Sequence, residues 1–181
     1  DASPKDCVRE VAEAAPPVAE APRERPKLLS GKQAEVLLAV GKRTLKFTNL
    51  NKVFYPREGY VKRDLINYYD AVAELLVPHL KDRPLSLKRY PNGIEGKYFF
   101  QKEAAESFPG WLRTEAIFSE HNRAPINYVV ADDRASLLYL ANLGCIDQTP
   151  WMSRVGSLEH PDFVLIDLEP YACGYDRIVE A

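Results

Sequence analysis

The chain has 181 residues, 46% hydrophobic and 28% charged, with a formal net charge of −2, enough for one core of moderate size or a small domain with a tail. No apolar run approaches the ~20 residues that cross a bilayer, and Asp1-Ala2-Ser3-Pro4-Lys5-Asp6 has charges and proline where a secretion signal is apolar. Cys7, Cys145 and Cys173 are odd in number and far apart, which leaves no disulfide framework and no CxxC metal knuckle; a soluble cytoplasmic protein is expected.

In chain order, residues 1–27 read as a disordered linker. The Ala/Pro/Glu-rich stretch from Ala12 to Pro22 has prolines that spoil any helix and little to bury. Residues 28–181 are assigned to the folded part. Val36-Leu37-Leu38-Ala39-Val40 reads as a first strand or as a hydrophobic staple, with regular structure expected from near Gly41. Leu45 to Thr48 alternates as a strand, and Tyr55-Pro56-Arg57-Glu58-Gly59 is a turn. Leu65, Tyr69, Val72 and Leu76 recur at helical spacing, so a helix is expected from Lys62 to Leu76, stopped by Pro78. Residues 85–90 and 97–101 form an expected hairpin about Pro91-Asn92-Gly93. Residues 126–130 predict a strand. Asp132 or Asp133 caps a helix to about Asn142, with Gly144 closing its C-terminus. Phe163-Val164-Leu165-Ile166 reads as a strand buried on both faces. The class is α/β (α+β).

Net charge alone argues against a nucleic-acid binder, but its distribution reverses that. Between Gly41 and Lys102 thirteen Lys/Arg stand against six Asp/Glu, a basic footprint whose alternative is a merely solvated face. Three constellations lie in or beyond it. Lys52 and Lys62 flank the 55–59 turn, the second at a helix start, and could converge on a phosphate, unless they are ordinary surface lysines. Lys88-Arg89-Tyr90 with Tyr98-Phe99-Phe100-Gln101-Lys102 interleaves cations with rings, as unpaired nucleic acid requires. Neighbours on a strand alternate sides, so one of Phe99 and Phe100 is exposed unless both faces of the sheet are covered. Asp167 and Glu169, at i and i+2 of the expected last strand, point to one side and suit a pair of hard divalent cations, or else mark the strand's exit into a loop. His79, His121 and His160 have no ligand spacing. Trp151 and Cys145 read as packing residues.

Taken in order, these segments resemble the polymerase domain of bacterial ATP-dependent DNA ligase D. The matching stretches are Leu50-Asn51-Lys52-Val53-Phe54-Tyr55-Pro56, Lys62-Arg63-Asp64-Leu65, Arg83-Pro84-Leu85, Lys88-Arg89-Tyr90-Pro91-Asn92-Gly93 and Phe99-Phe100-Gln101-Lys102. Ala141-Asn142-Leu143-Gly144-Cys145, Pro150-Trp151 and Ile166-Asp167-Leu168-Glu169-Pro170 follow. The likeness covers about residues 43–181.

The resemblance implies a primase-like mixed sheet flanked by helices, of the archaeo-eukaryotic primase superfamily. It implies a nucleotidyltransferase that fills in double-strand breaks in bacterial non-homologous end joining, using nucleoside triphosphates, ribonucleotides preferred, and Mn²⁺ or Mg²⁺. By resemblance, Lys52 and Lys62 hold the 5′-phosphate of the downstream strand, and Phe99 and Phe100 lie against the template. Lys88 lies by the nucleotide, and Asp167 and Glu169 are the catalytic metal ligands. Implied partners are DNA ends, Ku, and the ligase and phosphoesterase domains of the same polypeptide, in a nucleoid-associated setting with no membrane.

Two departures qualify this. Glu169 stands where the family has Asp, its extra methylene moving the carboxylate by roughly 1.5 Å. The sequence also ends before the family's third metal carboxylate and its Ser/His triphosphate segment. The expectation is a domain truncated before the second half of its catalytic core, with an incomplete two-metal site, that binds DNA ends and polymerises poorly or not at all. A non-catalytic end-binding module and a two-metal nuclease are the alternatives.

Overall fold

The computed structural model describes residues 26–166; most of the expected linker, together with Asp167 and Glu169, lies outside the described residues. Ordered packing starts before Gly41. Leu29 is in the core, its backbone N–H donating to the Asn67 side chain at 2.8 Å and its carbonyl accepting from the same amide at 3.1 Å. A single leucine anchored by an asparagine far along the chain leaves no periodic signal, which is why the expected start falls too late.

Of the two readings of residues 36–40, the strand is correct: β1 (Val36–Val40) pairs antiparallel with β2 (Arg43–Phe47), turning at Gly41 with φ 58°, a left-handed conformation that glycine adopts without strain. A second small hairpin, β3 (Val53–Tyr55) and β4 (Tyr60–Val61), leads into helix α1 (Lys62–Leu80). The Asp64 carboxylate accepts from the Val61 N–H at 2.9 Å, satisfying an amide at the helix entrance. Leu65, Ile66, Tyr69, Ala73 and Leu80 form its buried face. Pro78 does not stop the helix before it. The proline forfeits one backbone bond in the last turn, and the Lys81 N–H still bonds the Val77 carbonyl at 2.9 Å.

The main sheet is built around β5 (Pro84–Arg89). β9 (Cys145–Pro150) runs along one side; β8 (Ala124–Val130) and β6 (Phe99–Gln101) share the other, and β7 (Thr114–Ser119) adds to β8. Every ladder among the described residues is antiparallel. Leu85 and Leu87 point from β5 into one core with α1 and α2 (Arg134–Asn142). Asp133 caps α2, accepting from the Ser136 N–H at 2.7 Å, and Gly144 follows its end at φ 78°. The opposite face of the sheet is covered only in part, where Ile117, Ile126 and Tyr128 meet Trp151 and Leu158. Lys88 lies on that open face, next to β9 and β6.

After β9 the chain folds back through Arg83. This buried guanidinium donates to the Met152 carbonyl at 2.7 Å and to both Asp162 oxygens at 2.5 and 2.7 Å, and the Phe163 ring covers it at 4.8 Å. The expected strand at 163–166 is not formed: Val164, Leu165 and Ile166 are largely exposed and join no ladder among the described residues. An apolar run states a tendency to be buried, but a strand also needs a neighbour to complete its hydrogen bonds. Among the described residues no helix is long and apolar enough to cross a membrane.

Candidate nucleic-acid interface

The turn before β3 and the first residue of α1 are joined through the backbone. The Lys62 N–H donates to the Lys52 carbonyl at 2.8 Å and the Arg63 N–H to the Leu50 carbonyl at 3.0 Å. These bonds occupy two of the helix's leading amides, so any anion here meets side-chain cations before helix N–H groups. The buried Arg63 reinforces the join by donating to the Gln33 carbonyl and to Asn51 Oδ1. Lys52 and Lys62 are thereby brought together.

Their environments differ. Lys62 is 5% exposed and donates to the Thr48 carbonyl at 2.8 Å. Burial first, then the neighbouring charges of Lys52 and Arg89, lower its pKa to about 8. Lys52 is exposed, and its ammonium donates to the Pro91 carbonyl at 2.5 Å and to Asn92 Oδ1 at 2.7 Å. Arg89 donates to the Leu143 carbonyl at 3.2 Å and to Gln101 Oε1 at 2.9 Å, with Phe99 over its guanidinium at 5.2 Å. Among the described residues, none of these three cations is paired with a carboxylate.

The Pro91–Gly93 turn that Lys52 grips is itself docked on β3. The Ile94 N–H donates to the Phe54 carbonyl at 2.8 Å, and a Cβ on Gly93, where φ is 83°, would stand 2.8 Å from that same oxygen. Only glycine fits both the conformation and the close approach.

Across the sheet, Lys88 is held differently. Its ammonium lies 4.3 Å from the centre of the Tyr98 ring, 5.5 Å from Tyr90 and 5.6 Å from Phe100, with an Asp147 oxygen at 3.9 Å. Strand register produces this enclosure, because Lys88 pairs with Phe100 on β6 and with Asp147 on β9. A hydrogen bond with Tyr90 and the surrounding rings and carboxylate hold its pKa above the usual lysine value. Phe99 and Phe100 do alternate sides, but both are exposed, at 45% and 65%. Neither face of this short strand is covered, so the alternative in which both rings are buried does not hold.

Asp167 and Glu169 lie outside the described residues, and among those described no group of three or more His, Cys, Asp or Glu could hold a metal ion. Sequence reasoning included Arg89 and Tyr98 in the candidate interface without giving either a role of its own, and it missed Asp147. Tyr98 and Arg89 sit inside the basic-aromatic segments, whereas Asp147 becomes visible only through its pairing with Lys88. Trp151 packs edge-on against Tyr128 at 5.1 Å, and Cys145 is buried, its thiol pushed up to about 12 by desolvation; both are packing residues, as expected. A groove of about 770 Å³ beside the β3–β4 hairpin, lined by Tyr55, Tyr60 and Tyr68, also carries Glu58, Asp64 and Asp70, and those acids repel a phosphate backbone.

A family model for the LigD primase-polymerase domain matches residues 61–181. The multifunctional non-homologous end joining protein LigD of Mycolicibacterium smegmatis is 32% identical over 128 residues, 70% of this chain and 16% of that protein. The bifunctional non-homologous end joining protein LigD of Bacillus subtilis is 29% identical over 126 residues, 70% of this chain and 20% of that protein. The polymerase domain of Mycobacterium tuberculosis ligase D in complex with DNA superposes with a TM-score of 0.58 at 32% identity, covering 61% of this chain and 38% of that one. The chain thus spans a minor part of the relatives it matches. Because the family model takes in well over half of its residues, the chain belongs to the LigD primase-polymerase domain family.

Proposed function

We propose that this chain is the DNA-end-binding part of a primase-like polymerase of bacterial non-homologous end joining, and that Lys52 and Lys62 take the 5′-phosphate of the downstream strand. The observation that carries this is the cluster of Lys62, Lys52 and Arg89, neighbours whose charges have no carboxylate partner among the described residues, one of them buried. A phosphate entering there gains charge-assisted hydrogen bonds and relieves the mutual repulsion of the cations.

Phe99 and Phe100 supply exposed rings for the template, with Lys88 a fixed cation beside them, and the nucleotides added come from nucleoside triphosphates, ribonucleotides preferred. Asp167 and Glu169 would hold Mn²⁺ or Mg²⁺. Carboxylate oxygens suit such hard ions, which when bound neutralise developing phosphoryl charge. The substrates are broken DNA ends. Ku and the ligase and phosphoesterase domains of the same polypeptide are the partners, in the cytoplasm and at the nucleoid.

The test is fluorescence anisotropy of a recessed DNA end with and without its 5′-phosphate. The chain is expected to prefer the phosphorylated end about tenfold to a hundredfold, from charge-assisted bonds of about 1.5–3 kcal/mol, and Lys52→Ala/Lys62→Ala to abolish the preference. Equal binding of both ends by the parent chain would refute the reading.

A further inference from the structure

We propose that Tyr98 is a further DNA-binding residue: with Phe100 it forms a platform for one unpaired base, and the Lys88 ammonium beneath receives that nucleotide's phosphate. The inference rests on the end-binding reading above and extends it to the opposite face of β6. Tyr98 is 53% exposed, and it meets Phe100 edge to face with ring centres 5.9 Å apart at 87°. Its other neighbour, Tyr90, is buried and lies 5.4 Å away at a 39° tilt, so the Tyr98 ring is held between a floor and a wall.

Three features point to a base. Two large rings left over half exposed forgo the burial that Leu85, Leu87 and Tyr90 achieve on the partner strand and turn, and exposed aromatic surface of this kind marks a contact site. The rings are fixed by each other and by Lys88, so stacking costs little side-chain entropy. The cation is centred among the same rings, which places a phosphate-binding charge beside a stacking surface, the pairing that single-stranded nucleic acid selects. Asp147 acts as a positioning residue. At 3.9 Å its carboxylate lies on the β9 side of the ammonium, and the Lys88 side chain as a whole stays about a quarter exposed.

The sidedness follows from register. Tyr98 and Phe100 project with Lys88, whereas Phe99 projects with Arg89. A strand crossing the edge of β6 meets a ring and a cation on either face, and the Lys88 face has two rings.

The test uses the full chain and a recessed end bearing a 5′-phosphate, with 2-aminopurine at the first unpaired template positions in turn. At one position the parent chain should quench the fluorescence at least twofold. Tyr98→Phe should keep that quench, because the ring and not the hydroxyl stacks. Tyr98→Leu should lose most of it and bind about tenfold more weakly while keeping the 5′-phosphate preference. Lys88→Gln should lower the slope of log affinity against log salt by about 0.7, the value for one phosphate contact on a single strand. Quenching that survives in folded Tyr98→Leu, or is lost in Tyr98→Phe, overturns the proposal even if the phosphate preference stands. Quenching of free 2-aminopurine nucleoside triphosphate but of no strand position overturns the assignment to a strand base. Loss of phosphate preference in the parent chain would instead strike the underlying reading.

Discussion

Lys62 and Lys88 are both lysines of the candidate interface, and the fold treats their charges in opposite ways. Lys62 is buried on the helix side among other cations, and its pKa falls from 10.5 to about 8. That shift corresponds to a cost on the order of 3 kcal/mol for keeping it charged. Lys88 is on the open face, enclosed by three rings and a carboxylate, and its pKa rises. An uncompensated charge can be tolerated in a fold when a ligand supplies the missing partner, and a phosphate's bonds are of the size of the cost. A compensated charge needs no ligand to be stable, so its value lies in being held in place.

The hardest way to break this comparison is at the joint between its halves. Gly93→Ala places a Cβ against the Phe54 carbonyl at a φ of 83°, and the turn that Lys52 grips must move. The expected loss is about 3 kcal/mol, seen as a fall of about 10 °C in melting temperature, together with weaker discrimination of the 5′-phosphate.

Lys62→Met sharpens the contrast. Removing a buried, uncompensated charge should stabilise the free chain by about 1 kcal/mol at pH 7 while abolishing the phosphate preference. The same change at Lys88 should bring no such gain. Chemical denaturation with both variants checks this.

The pH dependence has a defined sign. Above about pH 8 folded Lys62 sheds its proton, while the unfolded chain keeps it up to about 10.5. The unfolded state then binds more protons, so the stability contributed by this residue rises with pH through that window. Phosphate affinity should fall over the same range as the ammonium is lost. Urea melts and end binding at pH 7.5 and 9.5 should therefore move in opposite directions, and Lys62→Met should flatten both trends.

The smallest effect belongs to Asp147→Asn. Its contact with Lys88 is long and half solvated, so the melting temperature should hold, and only the salt dependence of strand binding should shift.

Much of this arrangement was legible from local pattern. The α1 face, the 84–101 hairpin, Asp133 as the α2 cap and Gly144 beyond it each rest on spacing or on a residue with one conformational use. What escaped was set by distant partners. β7 and β9 carry no clear alternation and exist because β8 and β5 offer them ladders. The helix passes Pro78 because the lost bond falls in its last turn. The 163–166 run looked like a buried strand, yet the described structure provides it no neighbour. At the site, the convergence of Lys52 and Lys62 was expected, but sequence separation hid Arg89's place beside them, and the Lys88 enclosure required two strand registers at once.

The measurement that meets the central claim most directly is an NMR titration of the Lys62 side chain, with the DNA end free and bound. The account predicts a midpoint near pH 8 in the free chain, rising by a unit or more when a 5′-phosphorylated recessed end binds and staying put with the unphosphorylated end. A free midpoint near that of an ordinary lysine, or one indifferent to the 5′-phosphate in a bound complex, would contradict it.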